Sequence, residues 1–376
     1  MRIVIACGGS GGNLVPGLSL ASQLKAMRKD TEIFFVTSRK PIDRKLLKKE
    51  KHVLMLPMIG MPPLVSWRFP LFLIRFFLSF VICLFKIAQI RPDVCVGFGG
   101  YVSGPVILTG TLYRKPTLIH EENIVPGRAN RWLSRWATRI GVAFDETRKC
   151  FQNPSAVVCV GNPLREDLAH LSRAEACRYF GMEQDRFTLF VTGGSQGAHR
   201  LNCAVLEAFE RMPEAERLSF QVIHSSGEKD AAWVEERYQT LGILARVYPF
   251  LEAMGEAYSA ADLVIARGGA MTLAEVGHFQ KPALFIPLSL AGNHQLENVK
   301  YLAERGGCLF FDEEKAMTDS FFQEMLRLKK DSSRREALSR ELKSFFPNGT
   351  ATRLAQEVMH LAGEQLIQEP KKDSIR

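Results

Sequence analysis

The stretches "RIVIACGGSGGN", Arg2 to Asn13, and "FTLFVTGGSQGA", Phe187 to Ala198, carry the same pattern twice. Each is an apolar run of strand length, stopped by a Gly-Gly-Ser loop and followed by the start of a helix. Glycines at such a junction let the backbone approach a ligand and aim amide groups at an anion over the helix N-terminus. Two copies about 185 residues apart predict two nucleotide-type halves, each with its loop at the carboxyl end of a strand, facing one another across a cleft.

The rest of the chain extends this pattern. RIVIAC, EIFFVTS, VLMLPM, VCVGFG, PTLIH, RIGVAF and AVVCVG alternate with longer amphipathic segments as far as "GNPLRED". The alternation then restarts with FTLFVTG, SFQVIHSSG, ARVYPF, LVIARG, ALFIP and GCLFF. Apolar strands alternating with helices predict parallel sheets covered on both faces, so the fold class is α/β with two doubly wound domains. The first domain is expected over 1–162 with a C-terminal helix at about 346–364, the second over 163–345, and a polar tail over 365–376.

The chain has 376 residues, 46% hydrophobic and 24% charged, which suits two globular domains and excludes a disordered chain. The net charge of +9 is uneven, with +14 in residues 1–160 and −5 in 161–376. So basic an N-terminal half suits an anionic partner: nucleic acid, a phospholipid surface or a polyanionic substrate. The eight cysteines contain no CxxC pair, and several lie in apolar runs. They are expected to be buried, reduced thiols, with neither a zinc site nor a disulfide frame. Only five apolar residues follow Arg2 before the glycines, too few for a signal peptide, which predicts a cytoplasmic protein.

One segment stands apart, "PLFLIRFFLSFVICLFKIAQI" at 70–90. Its least polar part, Leu71 to Phe85, holds one charge and as a helix would span about 22 Å, short of a roughly 30 Å hydrocarbon core. Arg75, Ser79, Lys86 and Gln89 fall on one narrow helical face and the remainder is apolar. One side is expected to pack on the sheet. The wide apolar arc, with the basic charge, is expected to insert partly into an anionic membrane face through Leu71, Phe72, Phe76, Phe77, Phe80 and Leu84.

The first loop departs from the dinucleotide fingerprint, with Leu14 where a third glycine belongs. The second strand ends in Thr37-Ser38-Arg39-Lys40, which lacks a ribose-binding acid, although Arg39 would suit an NADP phosphate. An NADP oxidoreductase therefore stays open as the reading from another class. Glu275, three residues after Thr272, has the spacing of a helix capping box. His224 and His278, each alone, read as structural. No Asp-x-Asp pair offers itself to a divalent ion, and neither metal nor cofactor is expected.

Seven motifs run in order along the chain: GGSGGNxxP (8–16), PDVCVGFGGYVSGP (92–105), HEEN (120–123), GNPLR (161–165), GGSQGAxxLN (193–202), RGGAMTLAE (267–275) and NHQxxN (293–298). In these the sequence closely resembles the MurG family, the family 28 peptidoglycan glycosyltransferases that make lipid II from lipid I. The resemblance implies a GT-B fold and inverting, metal-independent transfer from UDP-GlcNAc to undecaprenyl-linked lipid I. It implies a peripheral enzyme on the cytoplasmic face of the cell membrane that does not bind nucleic acid. The N-terminal domain takes the acceptor and the C-terminal domain the donor. On the donor side it implies Arg165, Gly194, Ser195 and Gln196 around the diphosphate and Glu275 on the ribose. Phe250 and Leu251 would meet uracil, with Arg267, Ala270, Met271 and Thr272 of the adjacent loop also on the donor, and Gln295 and Asn298 match the sugar-hydroxyl and loop-stabilising positions. On the acceptor side it implies Ser10, Gly11, Gly12, Asn13, Gly100, Tyr101, Ser103, Gly104 and Asn123. Here the sequence departs from the family, whose loop ends in His and whose acid motif reads Glu-Gln-Asn. Asn13 cannot accept the proton that the attacking hydroxyl must lose. It is expected to orient the acceptor, with Glu121 as the base or as an orienting group and Glu122 as a possible compensation. The rival acceptor for such a membrane-associated UDP-sugar transferase is diacylglycerol, and the rival to catalysis is a binding protein recruited to the membrane.

Overall fold

The structure, a computed structural model, describes residues 1–9, 11–63, 65–165, 168–194, 196–288 and 293–364. Ser10, Ser195 and the tail 365–376 lie outside the described residues. Every one of the thirteen apolar runs forms a strand. The first seven are β1 (Arg2–Ala6), β2 (Glu32–Ser38), β3 (Val53–Leu56), β4 (Val94–Gly97), β5 (Thr117–Glu121), β6 (Arg139–Val142) and β7 (Val157–Cys159). They pair in parallel in the order β3-β2-β1-β4-β5-β6-β7. The other six are β8 (Phe187–Thr192), β9 (Phe220–Ser225), β10 (Leu244–Tyr248), β11 (Leu263–Ala266), β12 (Ala283–Phe285) and β13 (Leu309–Phe310). They form a second parallel sheet, β10-β9-β8-β11-β12-β13. Both are Rossmann orders. In each, the strand order reverses between the glycine-loop strand and its neighbour, β1 beside β4 and β8 beside β11.

The chain divides into two compact units, one of residues 1–121, 126–163 and 349–376, the other of residues 122–125 and 164–348. In the first unit the helix Gly11–Met27 packs one sheet face together with the terminal helix Thr350–Leu361, through Leu14, Leu20, Leu24, Leu354 and Val358. Gln23 donates to the Thr352 hydroxyl at 3.0 Å, and Arg28 pairs with Glu364. Gly161, at φ +80°, passes so close to the start of the terminal helix that a Cβ there would lie 2.4 Å from Thr350 Cγ2. The second unit has its own core, in which Leu189, Val191, Leu263, Ile265 and Leu284 of the strands meet Val205, Phe209 and Phe321 of the helices.

The helix Phe69–Ile90 covers the other face of the first sheet and corrects two expectations. At 22 residues it is about 33 Å long, so by length and composition alone it could cross a membrane. Topology prevents that, because the helix is the crossover between β3 and β4 of one parallel sheet. Phe72, Ser79, Cys83 and Ile87 form its buried stripe against Val4, Ala6, Val36 and Val106. Ser79, expected on the polar face, is therefore a core residue whose Oγ has no hydrogen-bond partner among the described residues. Phe72 is likewise a core residue and not a membrane contact. Phe76 is half-buried and packs on the helix Gly100–Leu112, where a Cβ on Gly104 would come within 2.8 Å of its ring. Phe80 and Leu84 are half-buried. Leu71 and Phe77 are exposed, joined by Leu73, Ile74, Leu78 and Phe85, with Val65 and Trp67 in the preceding loop.

All eight cysteines are free thiols; five are buried as expected, while Cys150 and Cys159 are exposed and Cys203 is half-buried. The two faces of the helix should separate in stability. Phe72→Ala is expected to cost about 3–4 kcal/mol, and Phe77→Ala, at a position 68% exposed, under about 0.5 kcal/mol in urea titrations.

Candidate active site

At the carboxyl ends of β1 and β4 the structure gathers Gly8, Gly9, Asn13, Gly100 and Tyr101. A Cβ on Gly9 would lie 2.9 Å from the Tyr101 hydroxyl, and one on Gly100 would lie 3.0 Å from Asn13 Nδ2. Gly12 is exposed in the first turn of the helix Gly11–Met27. The loop amides do not all face outward. Gly9 donates its N–H to the buried carboxylate of Asp43, at 3.1 and 3.0 Å from the two oxygens. Asp43 Oδ2 also accepts from the Thr37 hydroxyl at 2.9 Å and from Ser38 N–H at 3.2 Å. Gly8, at φ +137°, has no room for a side chain, since a Cβ would lie 2.2 Å from Thr37 Oγ1. Asp43 thus fixes the loop from beneath. The only signal for it in the sequence is an acid a few residues beyond the hydroxyls that end β2.

Two expected acceptor contacts are structural instead. Ser103 is fully buried and donates its hydroxyl to Gly99 O at 2.7 Å, closing the first turn of its own helix. Gly104 is the contact point with Phe76, as above. Glu121, at the end of β5, is 2% exposed, and its Oε2 accepts from Gly127 N–H at 2.9 Å and from Asn130 Nδ2 at 2.9 Å. It pins the turn that begins the helix Arg128–Leu133. The neighbouring His120 is fully buried, donates Nε2–H to Gly161 O at 2.9 Å, and has its pKa driven down to about 4 by burial.

The motif HEEN is divided between the two units, with Glu122–Val125 held in the second. Asn298, buried on the helix His294–Ala303, donates to Asn123 Oδ1 at 2.9 Å and accepts from Ile124 N–H at 2.9 Å. His294 Nδ1 lies 3.0 Å from Val125 O. The Asn123 oxygen expected to meet the acceptor is therefore engaged by Asn298. Glu122 is also buried.

In the second unit the GGSQGA loop packs backbone to backbone on the loop after β9. A Cβ on Gly197, at φ +73°, would lie 2.2 Å from Ser226 O. Gly194 spends its N–H on Thr192 Oγ1 at 3.2 Å, so it is not a free donor for a diphosphate, while Gln196 is exposed. Beneath the loop, Asn202 donates to Ser226 O at 2.9 Å and to Asp230 at 2.8 Å, and accepts from His224 Nε2 at 3.0 Å. Tyr238 completes the set, donating to His224 Nδ1 at 3.0 Å. Burial drives the His224 pKa down to about 3, so the ring stays neutral, and the structural reading of His224 holds.

Arg267 is corrected as well. Its buried guanidinium donates to Ile286 O at 2.8 Å and to Glu313 at 2.6 Å, and Glu313 also accepts from Arg200 at 2.8 Å. These two cations hold the Glu313 carboxyl below its ordinary pKa against the opposing effect of burial. Arg267 is thus a strut beneath the loop that follows β11. Ala270 and Met271 are buried and Thr272 half-buried at the start of the helix Ala270–His278. Leu251 is buried and Phe250 exposed just past β10. Gln295 Oε1 accepts from Leu288 N–H at 3.0 Å.

Glu275 is not a capping residue, since the helix N-cap is Gly269 and Thr272 lies inside the helix. Its Oε2 accepts from the Tyr258 hydroxyl at 2.9 Å, and Oε1 takes no hydrogen bond among the described residues. Burial pushes its pKa up to about 7, against the lowering influence of Tyr258 and of the positive charge of Arg165. A partly buried carboxylate with one free oxygen is suited to accepting hydroxyls.

Two parallel Rossmann-like units, each with a glycine loop at its strand-order reversal, define the class: a GT-B fold. A crystal structure of MurG from Acinetobacter baumannii aligns with TM-score 0.75 at 24% identity, covering 96% of this chain and 99% of that one. A UDP-GlcNAc 2-epimerase from Neisseria meningitidis bound to UDP-GlcNAc aligns at 0.66 with 12% identity, over 96% and 100%. Both show the fold, and the fold alone does not choose the reaction. The N-terminal domain of glycosyltransferase family 28 matches residues 3–142 and its C-terminal domain residues 188–354. Relatives named UDP-N-acetylglucosamine--N-acetylmuramyl-(pentapeptide) pyrophosphoryl-undecaprenol N-acetylglucosamine transferase match most of the chain. The one from Desulfotalea psychrophila is 34% identical over 94% of this chain and 95% of its own length. The one from Chlorobaculum tepidum is 34% identical over 96% and 100%. The chain belongs to glycosyltransferase family 28, the MurG family, and the dinucleotide alternative based on Arg39 is set aside.

The raised pKa of Glu275 has a definite sign. The unfolded chain ionises it near 4.5 and the folded chain only near 7, so stability falls as pH rises through that window. The depressed His120 and His224 act oppositely, costing stability as pH falls from about 6.5 through their folded values near 4 and 3. Comparison with Glu275→Gln isolates the acid. The mutant should gain on the wild type by roughly 2–3 kcal/mol between pH 4.5 and 7, and the difference should level off above, in urea unfolding followed by circular dichroism.

Proposed function

We propose that this chain transfers N-acetylglucosamine from UDP-GlcNAc to the N-acetylmuramyl sugar of lipid I, giving lipid II and UDP in peptidoglycan synthesis. The observation that carries the reading is family 28 membership across both units at 34% identity to transferases named for that reaction. The acceptor's 4-hydroxyl attacks the anomeric carbon of GlcNAc, forming the β1→4 bond with inversion. The bond from that carbon to the diphosphate breaks with its electron pair going to UDP, and the hydroxyl proton leaves to a base. Charge on the departing diphosphate is met by the loop 193–198, including Ser195 and the Gln196 amide, by the N-terminus of the helix His199–Arg211 and by Arg165, without a divalent ion. Phe250, Leu251, Ala270, Met271 and Thr272 take the uracil end, Glu275 Oε1 the ribose, and Gln295 the transferred sugar. Asn298 acts one step away, by holding Asn123 and Ile124.

On the acceptor side, Gly12, Asn13, Gly100 and Tyr101 hold the lipid-linked diphosphate and muramyl sugar. Asn13 orients and does not take the proton. Glu121, with Oε2 already accepting two hydrogen bonds, is an orienting residue that sets the 127–130 turn. With radiolabelled UDP-GlcNAc, the purified protein should label lipid I and not diacylglycerol. Glu121→Gln, which keeps an acceptor oxygen, should retain activity within about tenfold, whereas Glu121→Ala should lose on the order of a hundredfold. A Gln variant as inactive as the Ala variant would return Glu121 to the role of base.

The enzyme works as a peripheral protein on the cytoplasmic face of the membrane. Leu71, Leu73, Ile74, Phe77, Leu78 and Phe85 present an apolar arc, too large to leave in water without a partner. Exposed Trp132 and Trp136, stacked edge-on at 4.7 Å, lie in a segment with exposed Arg128, Arg131 and Arg135. Amphipathic aromatics and cations of this kind suit an anionic headgroup layer. The double substitution Phe77→Asp/Phe85→Asp should abolish sedimentation with phosphatidylglycerol vesicles and leave UDP binding unchanged.

A further inference from the structure

Tyr258 lies on the helix Met254–Ala260 and is fully buried. Its ring is stacked on Phe279 at 5.1 Å and meets Phe190 edge-on at 5.0 Å. Among the described residues its hydroxyl has one hydrogen bond, to Glu275 Oε2 at 2.9 Å. Two ring contacts and a packed helix thus place one phenol proton on one oxygen of the carboxylate and leave the other oxygen open. We infer that Tyr258 is a positioning residue for the nucleotide-sugar donor: it holds Glu275 so that Oε1 presents its lone pairs to the two vicinal hydroxyls of the ribose. The inference rests on the reading of Glu275 as the ribose acceptor and deepens it.

The Tyr258 hydroxyl acts on Glu275 through both geometry and charge. A glutamate side chain has three rotatable bonds, and without a fixed partner its carboxylate would explore several orientations in a site open to water. The phenol removes that freedom at Oε2. It also favours the ionised form, since a hydrogen bond donated to a carboxylate stabilises the anion. The ionised form matters because a diol offers two protons, and a protonated carboxyl brings a third to the same space. Among the described residues, the other charge acting on Glu275 is Arg165, from the segment after β7. The next turn of the Glu275 helix carries His278, which faces His170 Nε2 at 2.8 Å and whose pKa is lowered below its ordinary value by burial, His170 and Lys343.

Tyr258→Phe keeps the ring and its packing and removes only the hydroxyl. With the full-length protein, lipid I and UDP-GlcNAc, the variant should raise KM for the donor about tenfold at pH 7 with kcat within twofold. The defect should shrink to threefold or less at pH 9, where Glu275 ionises without help. UDP alone, measured by calorimetry, should show the same pH-dependent weakening. In a Glu275→Gln background, adding Tyr258→Phe should change KM by less than twofold. A donor KM unaltered by Tyr258→Phe, or raised equally at pH 7 and pH 9, would overturn the positioning role while leaving Glu275 as the ribose ligand. Unchanged UDP binding by Glu275→Gln would instead remove the ribose reading itself, and the inference with it.

Discussion

Parallel neighbours whose connecting helices leave on opposite faces of a sheet open a crevice at their carboxyl ends, and both glycine loops of this protein sit at such an opening. The crevice arises twice, between β1 and β4 and between β8 and β11. Only a chain without side chains can line it closely. Gly8 abuts Thr37 and Asp43, and Gly197 abuts the backbone of Ser226, at separations that no Cβ could occupy. The glycines are thus required by packing beneath the loop as much as by a ligand above it. Several amides that a phosphate-loop reading would aim outward are committed inward, Gly9 to Asp43 and Gly194 to Thr192.

Charge buried near each crevice is settled in a different way according to its task. Among the described residues Asp43 pairs with no cation and is satisfied by amides and hydroxyls, which makes it a rigid hub. Glu313 is flanked by Arg200 and Arg267, a paired arrangement whose loss on one side would strand a charge. Glu275 is raised to about 7 by burial, against the opposing phenol of Tyr258 and the positive charge of Arg165. A group left short of partners in the resting protein is one that can take them from a ligand. That difference supports the ribose role proposed for Glu275, whereas the Arg267 guanidinium is spent on Ile286 and Glu313.

The helix Phe69–Ile90 joins two requirements in one element. Its buried stripe closes the sheet face, and as the crossover between β3 and β4 it cannot leave the sheet to span a bilayer. Among the described residues, the apolar side chains on its other side are left exposed, and on them rests the membrane face proposed above.

The fold was legible because strand-length apolar runs and glycine stops are local signals, and all thirteen strands lie where the hydrophobic pattern put them. The motif glycines, the divided charge and the family motifs likewise need no coordinates. What a side chain does with its polar atoms is not local. Ser103, Gly104 and Arg267 sit inside binding motifs and yet face the interior, because their partners, Gly99, Phe76 and Glu313, are set by how helices cross the sheet. Phe72 and Phe77 belong to one apolar run, but helical phase and the sheet beneath send one to the core and the other to the surface. Asp43 and Tyr258 carry no motif at all, and only the packing of distant elements brings them to Gly9 and Glu275. Sequence alone determined the two sheets, their loops and the family, since periodicity and backbone freedom are written residue by residue. Tertiary structure alone decided which polar atoms remain available to a substrate, since a hydrogen bond already made inside the protein cannot also be offered outside it.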